Sequence, residues 1–226
     1  MKKAYKWTIV LILLGFILAG MFLTLAPDQI PAHYNIRGEV DRWGSKYEFL
    51  IMPCMNLGYG IFMAWLARFE GKKGRDMNER IVAIMNNLIL IMFNGIWVGF
   101  MWKAVDPQYA GSNLGDLATK GIMVLLTASF IPLGNIMPKA QRNSVFGLRT
   151  KWSTASDRCW QQSQRIGGYL MVGTGILGVI LAAVLPAQWG SFVVLGLIVA
   201  MTIAGILASY RIYQKEQNPK EKTPLV

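Results

Sequence analysis

An all-α polytopic membrane protein with six transmembrane helices, set as three outward-facing hairpins, is the fold this sequence predicts. Three observations predict it. Of 226 residues 54% are hydrophobic and only 15% charged, against about 25% charged in a typical soluble domain. The apolar residues gather in six runs, 5–26, 47–67, 81–102, 117–137, 166–186 and 190–210, each close to the roughly 20 residues a helix needs to cross hydrocarbon. The 23 Lys and Arg are shared unequally between the connections. Eighteen fall on the side of the two termini and five, Arg37, Arg42, Lys46, Lys103 and Lys120, on the other. The positive-inside rule then puts both termini in the cytoplasm. The net charge of +11 is absorbed by basic flanks facing anionic headgroups, so direct nucleic-acid binding is not expected.

The first run follows Lys2 and Lys3 and is longer than the 7–15-residue apolar core of a signal peptide, so it reads as a retained span. Loop 27–46 is long and polar, and the first four spans occupy residues 1–137 around it. The second span carries Asn56, Gly60 and Ala64 on one face. The third carries Asn87 and Asn94, read as interhelical hydrogen-bond glue rather than a polar path. The fourth contains Pro132 and ends near Pro138, positions where a kink or break is expected. A cytoplasmic segment, 138–165, precedes the last two spans, 166–213. There Thr174, Gly178 and Ala182 on one helix and Gly196, Ala200, Ala204 and Ala208 on the next predict a close mutual approach. A tight turn is expected around Gln188 and Trp189. The tail 214–226, with Pro219 and Pro224, reads as disordered.

No Asp, Glu, Lys or Arg lies mid-span, which counts against a proton- or ion-coupled pump. No G-x-S-x-G or H-E-x-x-H motif is present, and His33 is the sole histidine. An enzyme is therefore not expected. His33 with Asp28, Glu39 and Asp41 is too thin a set for a closed zinc site, so neither metal nor cofactor is expected. Cys54 and Cys159 sit at opposite ends of the membrane by this reading and cannot pair. Cys159 is expected to react with an impermeant maleimide only after permeabilisation.

Two polar segments carry the remaining signal. In 138–165, with the end of the fourth span, stand Gly134, Asn135, Met137, Pro138, Lys139, Asn143, Gly147, Arg149, Thr150, Trp152, Ser153, Ser156 and Trp160. If the helix continued, Asn135, Lys139 and Asn143 would share a face. Gly147 allows a turn, and Thr154-Ala155-Ser156-Asp157 reads as a capping-box variant. Trp152 and Trp160 read as interfacial anchors. Arg149 offers a forked guanidinium for a carboxylate or phosphate. The outer loop holds Pro27, Ile30, Pro31, His33, Tyr34, Gly38, Asp41, Trp43, Gly44 and Lys46, and reads as a folded, hydrogen-bonded cap.

These two motifs, in this order, resemble the signature of the SdpI family of bacterial membrane proteins. The resemblance covers nearly the whole chain. It implies a non-enzymatic immunity protein or receptor in the bacterial inner membrane, acting against a secreted, membrane-active peptide toxin. It also implies a signalling role in which a cytoplasmic repressor is held at the membrane. Membrane lipids are the remaining partners, and a small transporter or flippase-like protein for a lipid or peptide is the alternative. Lys151 stands where the family often has Pro, and Gln164 where it often has His.

Overall fold

The computed structural model describes residues 2–35, 40–105 and 113–218. In order these form α1 (Lys2–Leu25), β1 (Gln29–Tyr34), β2 (Val40–Ser45), α2 (Ile51–Lys72), α3 (Asp76–Val105), α4 (Asn113–Ile136), α5 (Asp157–Val184) and α6 (Ala187–Gln217). All six helices are long and apolar enough to cross a membrane. Hydrocarbon leaves backbone groups no partner outside their own segment, which selects helices for these runs. The chain is a multi-pass membrane protein.

The helices gather as two triplets, α1–α2–α3 and α4–α5–α6, joined where α3 meets α4. Polar side chains tie the first triplet. Asn56 on α2 donates to the Asn94 amide oxygen at 3.1 Å, and Asn94 donates to the Leu11 carbonyl at 3.0 Å. Asn87 donates to the Ala4 carbonyl at 3.0 Å and accepts from the Thr8 hydroxyl at 2.7 Å. Asn86, with no signal in the sequence reading, reaches the Gly60 carbonyl at 3.3 Å. The asparagines are interhelical glue, each such bond worth about 0.6–2 kcal/mol.

The second triplet is built on the α4–α5 crossing. A Cβ at Gly134 would lie 2.7 Å from the Gly168 carbonyl, and one at Gly168 would lie 2.6 Å from the Gly134 carbonyl. Only two glycines allow the backbones this close.

The expected α5–α6 contact through small residues holds at Ala182, which joins Val194 of α6 in one buried cluster, and needs correction elsewhere. Gly178 lies against Thr127 of α4, while Gly196 and Ala200 are exposed. Helix α6 packs instead through Val194, Gly205, Ser209 and Ile212. A helix apolar on all sides offers no periodicity from which to choose its packed face.

Both helix-break expectations at proline are resolved. Helix α4 runs through Pro132 and tightens into a 3₁₀ turn, Met137–Lys139, around Pro138. The chain then leaves helical geometry, so Asn135, Lys139 and Asn143 do not share a face. The α5–α6 turn falls at Leu185 and Pro186, and Gln188 and Trp189 already belong to α6. Helix α6 also continues through 214–217, and 219–226 lies outside the described residues.

Loop 27–46 carries an antiparallel ribbon of β1 and β2, with register irregularities around His33. It sits on the ends of α1 and α3, where Ile30 joins Ala26, Phe49, Trp97, Met101 and Ala104 in one core. A two-stranded ribbon is marginal alone, so this apolar seat is what holds it. Strand structure here was not foreseen.

Candidate functional site

At the end of the bundle where α1 starts and α6 ends, segment 137–157 folds over the tops of α4, α5 and α6. It is held from four directions. Gly147 has φ +109°, a backbone state that L side chains rarely adopt. Gln164 of α5, fully buried, then clamps the next residue. Its amide oxygen accepts from the Leu148 N–H at 2.9 Å and its amide nitrogen donates to the Leu148 carbonyl at 3.0 Å. Thr150 and Ser153 exchange hydrogen bonds, Thr150 N to Ser153 Oγ at 2.9 Å and Ser153 N to Thr150 Oγ1 at 3.0 Å. The Ser153 hydroxyl also lies 2.7 Å from the Leu148 carbonyl. The Thr150 hydroxyl meets Ser209 of α6 at 2.9 Å.

Asn143 is buried and turns its own loop. Its side-chain oxygen accepts from the Val145 and Phe146 N–H groups at 2.8 and 2.7 Å, an Asx-type turn. Trp160 is 1% exposed and its indole N–H donates to the Ala140 carbonyl at 2.8 Å. It is therefore a buried post rather than an interfacial anchor. Trp152 is half-buried against Tyr210, ring centroids 4.9 Å apart. The expected cap at Thr154 also shifts: Ser156 caps α5, accepting from the Cys159 N–H at 3.0 Å.

The segment also rests on the α2–α3 connection. Glu70 is fully buried and bonds Lys73 at 3.0 Å, Arg75 at 3.3 Å and Ser144 at 3.3 Å. The Asn78 side chain accepts from the Gln141 N–H at 2.9 Å. Helix α6 adds Glu216, whose Oε2 accepts from Ser156 at 2.7 Å and from the Cys159 thiol at 2.6 Å. Sequence reasoning missed Glu70, Asn78, Ser209 and Glu216 as partners of this segment. Only the fold brings them to it.

The predicted site residues thus separate by role. Gly147, Asn143, Thr150 and Trp160 build the loop. Asn135, Pro138, Lys139 and Arg149 are exposed, although Arg149 donates to the Ser144 carbonyl at 2.6 Å.

In the opposite cap, Pro31 is buried and pairs in register with Trp43, which is 52% exposed. His33 and Asp41 face each other at 2.6 Å, both exposed. Tyr34 packs under the Lys103 ammonium, 5.1 Å from the ring centre, and burial pushes its hydroxyl pKa up. Arg42 pairs with Glu48 at 2.8 Å. Lys46 bonds Asp28 at 2.9 Å, which holds that carboxyl below its usual range. Gly38 and Glu39 lie outside the described residues. Among the described residues no three His, Cys, Asp or Glu side chains converge on one point.

Residues 139–209 match the SdpI/YfhL protein family, and residues 10–57, which span the cap, match a domain of unknown function, DUF1648. The chain is 22% identical over 211 residues to Immunity protein SdpI of Bacillus subtilis (strain 168), covering 92% of this chain and 95% of that protein. The family match rests on residues 139–209 and the full-length similarity on Immunity protein SdpI. No solved structure is significantly similar. The two matched regions take in opposite ends of one bundle: residues 10–57 hold the ribbon, and residues 139–209 hold most of the clamped loop together with α5 and much of α6.

Proposed function

We propose that this chain is an immunity protein of the membrane, protecting its own cell from a secreted, membrane-active peptide. The similarity to Immunity protein SdpI over nearly the full length of both chains is the observation that carries this reading. In it the ribbon faces outward and meets the peptide through the exposed edge of Trp43, His33 and Asp41. The clamped loop faces the cytoplasm, where exposed Lys139 and Arg149 present charge to a partner such as a repressor. The transporter reading is weaker. The asparagines that would line a polar path are engaged between helices, and none of the described spans carries a charge at its centre.

The test is competition. The gene is deleted from its own host, and the mutant is grown mixed with its parent. The mutant is expected to be killed, and a copy expressed in trans to restore survival. Trp43→Ala at normal membrane abundance is expected to restore less. Equal survival of mutant and parent would overturn the immunity reading.

A further inference from the structure

A cleft of about 660 Å³ opens between the turn at 138–142 and the first turns of α5. Arg75, Lys139, Arg142, Arg158 and Arg165 line it, against a single carboxylate, Asp157. Two of the cations already have a carboxylate, Arg75 with Glu70 and Arg142 with Asp157 at 3.8 Å, Arg142 also meeting the Thr154 carbonyl, while Arg165 donates only to the neutral Tyr169 hydroxyl at 3.2 Å. Among the described residues, no carboxylate lies within ion-pair distance of Lys139, Arg158 or Arg165. The cleft is therefore a concentration of unneutralised positive charge, and its ligand is an anion.

The position of the cleft says which anion. Arg158 and Arg165 are seven residues apart and share a face of α5. Arg165 is the last charge on that helix, followed by the apolar run from Ile166. The same face continues through Tyr169, Ile176 and Ile180, all exposed, at 63%, 48% and 53%. Basic groups at the polar end of a bare apolar strip match a molecule with an anionic head and hydrocarbon tails. Guanidinium groups suit phosphate oxygens because their donors are forked. We propose that this cleft binds the phosphate of an anionic phospholipid, with an acyl chain running down the Tyr169–Ile180 face. The proposal does not depend on which leaflet the cleft faces, nor on the immunity reading.

The test uses the purified full-length chain in detergent, titrated with phosphatidylglycerol and phosphatidylcholine and read by native mass spectrometry. One phosphatidylglycerol is expected to bind in preference to phosphatidylcholine. Each Lys or Arg near an anionic lipid is worth about five-fold in affinity. Combining Lys139→Gln, Arg158→Gln and Arg165→Gln is thus expected to weaken phosphatidylglycerol binding by about ten-fold or more, with the unfolding temperature unchanged. A matched variant, Lys72→Gln with Arg211→Gln and Lys215→Gln, removes equal charge from exposed sites on the same end and is expected to bind as wild type. If the triple variant unfolds, Arg158→Gln and Arg165→Gln are compared singly, each expected to lose about five-fold. No lipid preference, or equal losses in the cleft and matched variants, overturns the site. Displacement of the lipid by millimolar inorganic phosphate or glycerol phosphate overturns the lipid assignment in favour of a soluble anion.

Discussion

Gln164 satisfies both backbone groups of Leu148 with one side chain, donor to acceptor and acceptor to donor. The geometry explains why Gly147 precedes it: a Cβ at 147 would come 2.3 Å from the Gln164 amide oxygen, in a backbone state with φ +109°. Gly147→Ala therefore meets strain and collision together, and is expected to cost about 1–3 kcal/mol. Gln164→Ala leaves the Leu148 N–H without its partner, while Ser153 still donates to the carbonyl, and is expected to cost about 1–3 kcal/mol. Both substitutions release the same clamp, so the double variant is expected to lose less than the sum of the two. Thermal unfolding of the purified variants in detergent measures all three; strict additivity would show that the clamp is not shared. The need for a flexible residue at 147 was legible from the glycine alone. The clamp was not, because the sixteen residues between Gly147 and Gln164 fold back before Gln164 arrives beneath it, and a glutamine carries no pattern that names its partner.

At the scale of elements, the apolar runs and the Ser156 region were legible because each depends on neighbours in sequence. Span length reads directly from hydropathy, and a serine followed by an apolar helix is a local start signal. The α6 packing face and its last turn were not legible. Small residues mark close helix contact only where another helix is present, and the α6 stripe at Gly196 and Ala200 faces outward. Residues 214–217 are polar and read as tail, yet Glu216 is held by Ser156 and Cys159 across the start of α5. This contact also changes what Cys159 can report. The thiol is fully buried, so its resistance to maleimide says nothing about sidedness. Its accessibility instead reports the α5–α6 junction. Wild-type Cys159 is expected to label slowly even in solubilised protein. Glu216→Ala, or truncation after Tyr213, is expected to speed labelling by about an order of magnitude, as local opening of a contact worth roughly 1–2 kcal/mol becomes easier. Unchanged labelling in both would show that α6 does not secure the start of α5. The exposed Cys54 is replaced by alanine in each protein so that only one thiol is counted.

Across the whole molecule, the two polar ends are unequal in both charge and construction. One carries 18 of the 23 basic residues and a loop fixed by three helices and the α2–α3 connection. The other carries a short ribbon seated on an apolar patch and bounded by ion pairs. Translocation of a positively charged connection is disfavoured, so the basic end is expected in the cytoplasm and the ribbon outside. Two exposed positions now replace Cys159 as reporters. Lys151 is exposed on the clamped loop, and Trp43 is exposed on the ribbon. Both Cys54 and Cys159 are first replaced by alanine; Lys151→Cys and Trp43→Cys are then made singly. In intact cells, or spheroplasts where an outer membrane intervenes, an impermeant maleimide is expected to label Trp43→Cys and spare Lys151→Cys. Permeabilisation is expected to equalise them. The reverse pattern would place the ribbon in the cytoplasm and take from it any direct encounter with a secreted peptide. Labelling of both in intact cells would show that the population inserts in two orientations, which a bias of 18 against 5 argues against, since the Lys and Arg difference between short connections is what sets orientation.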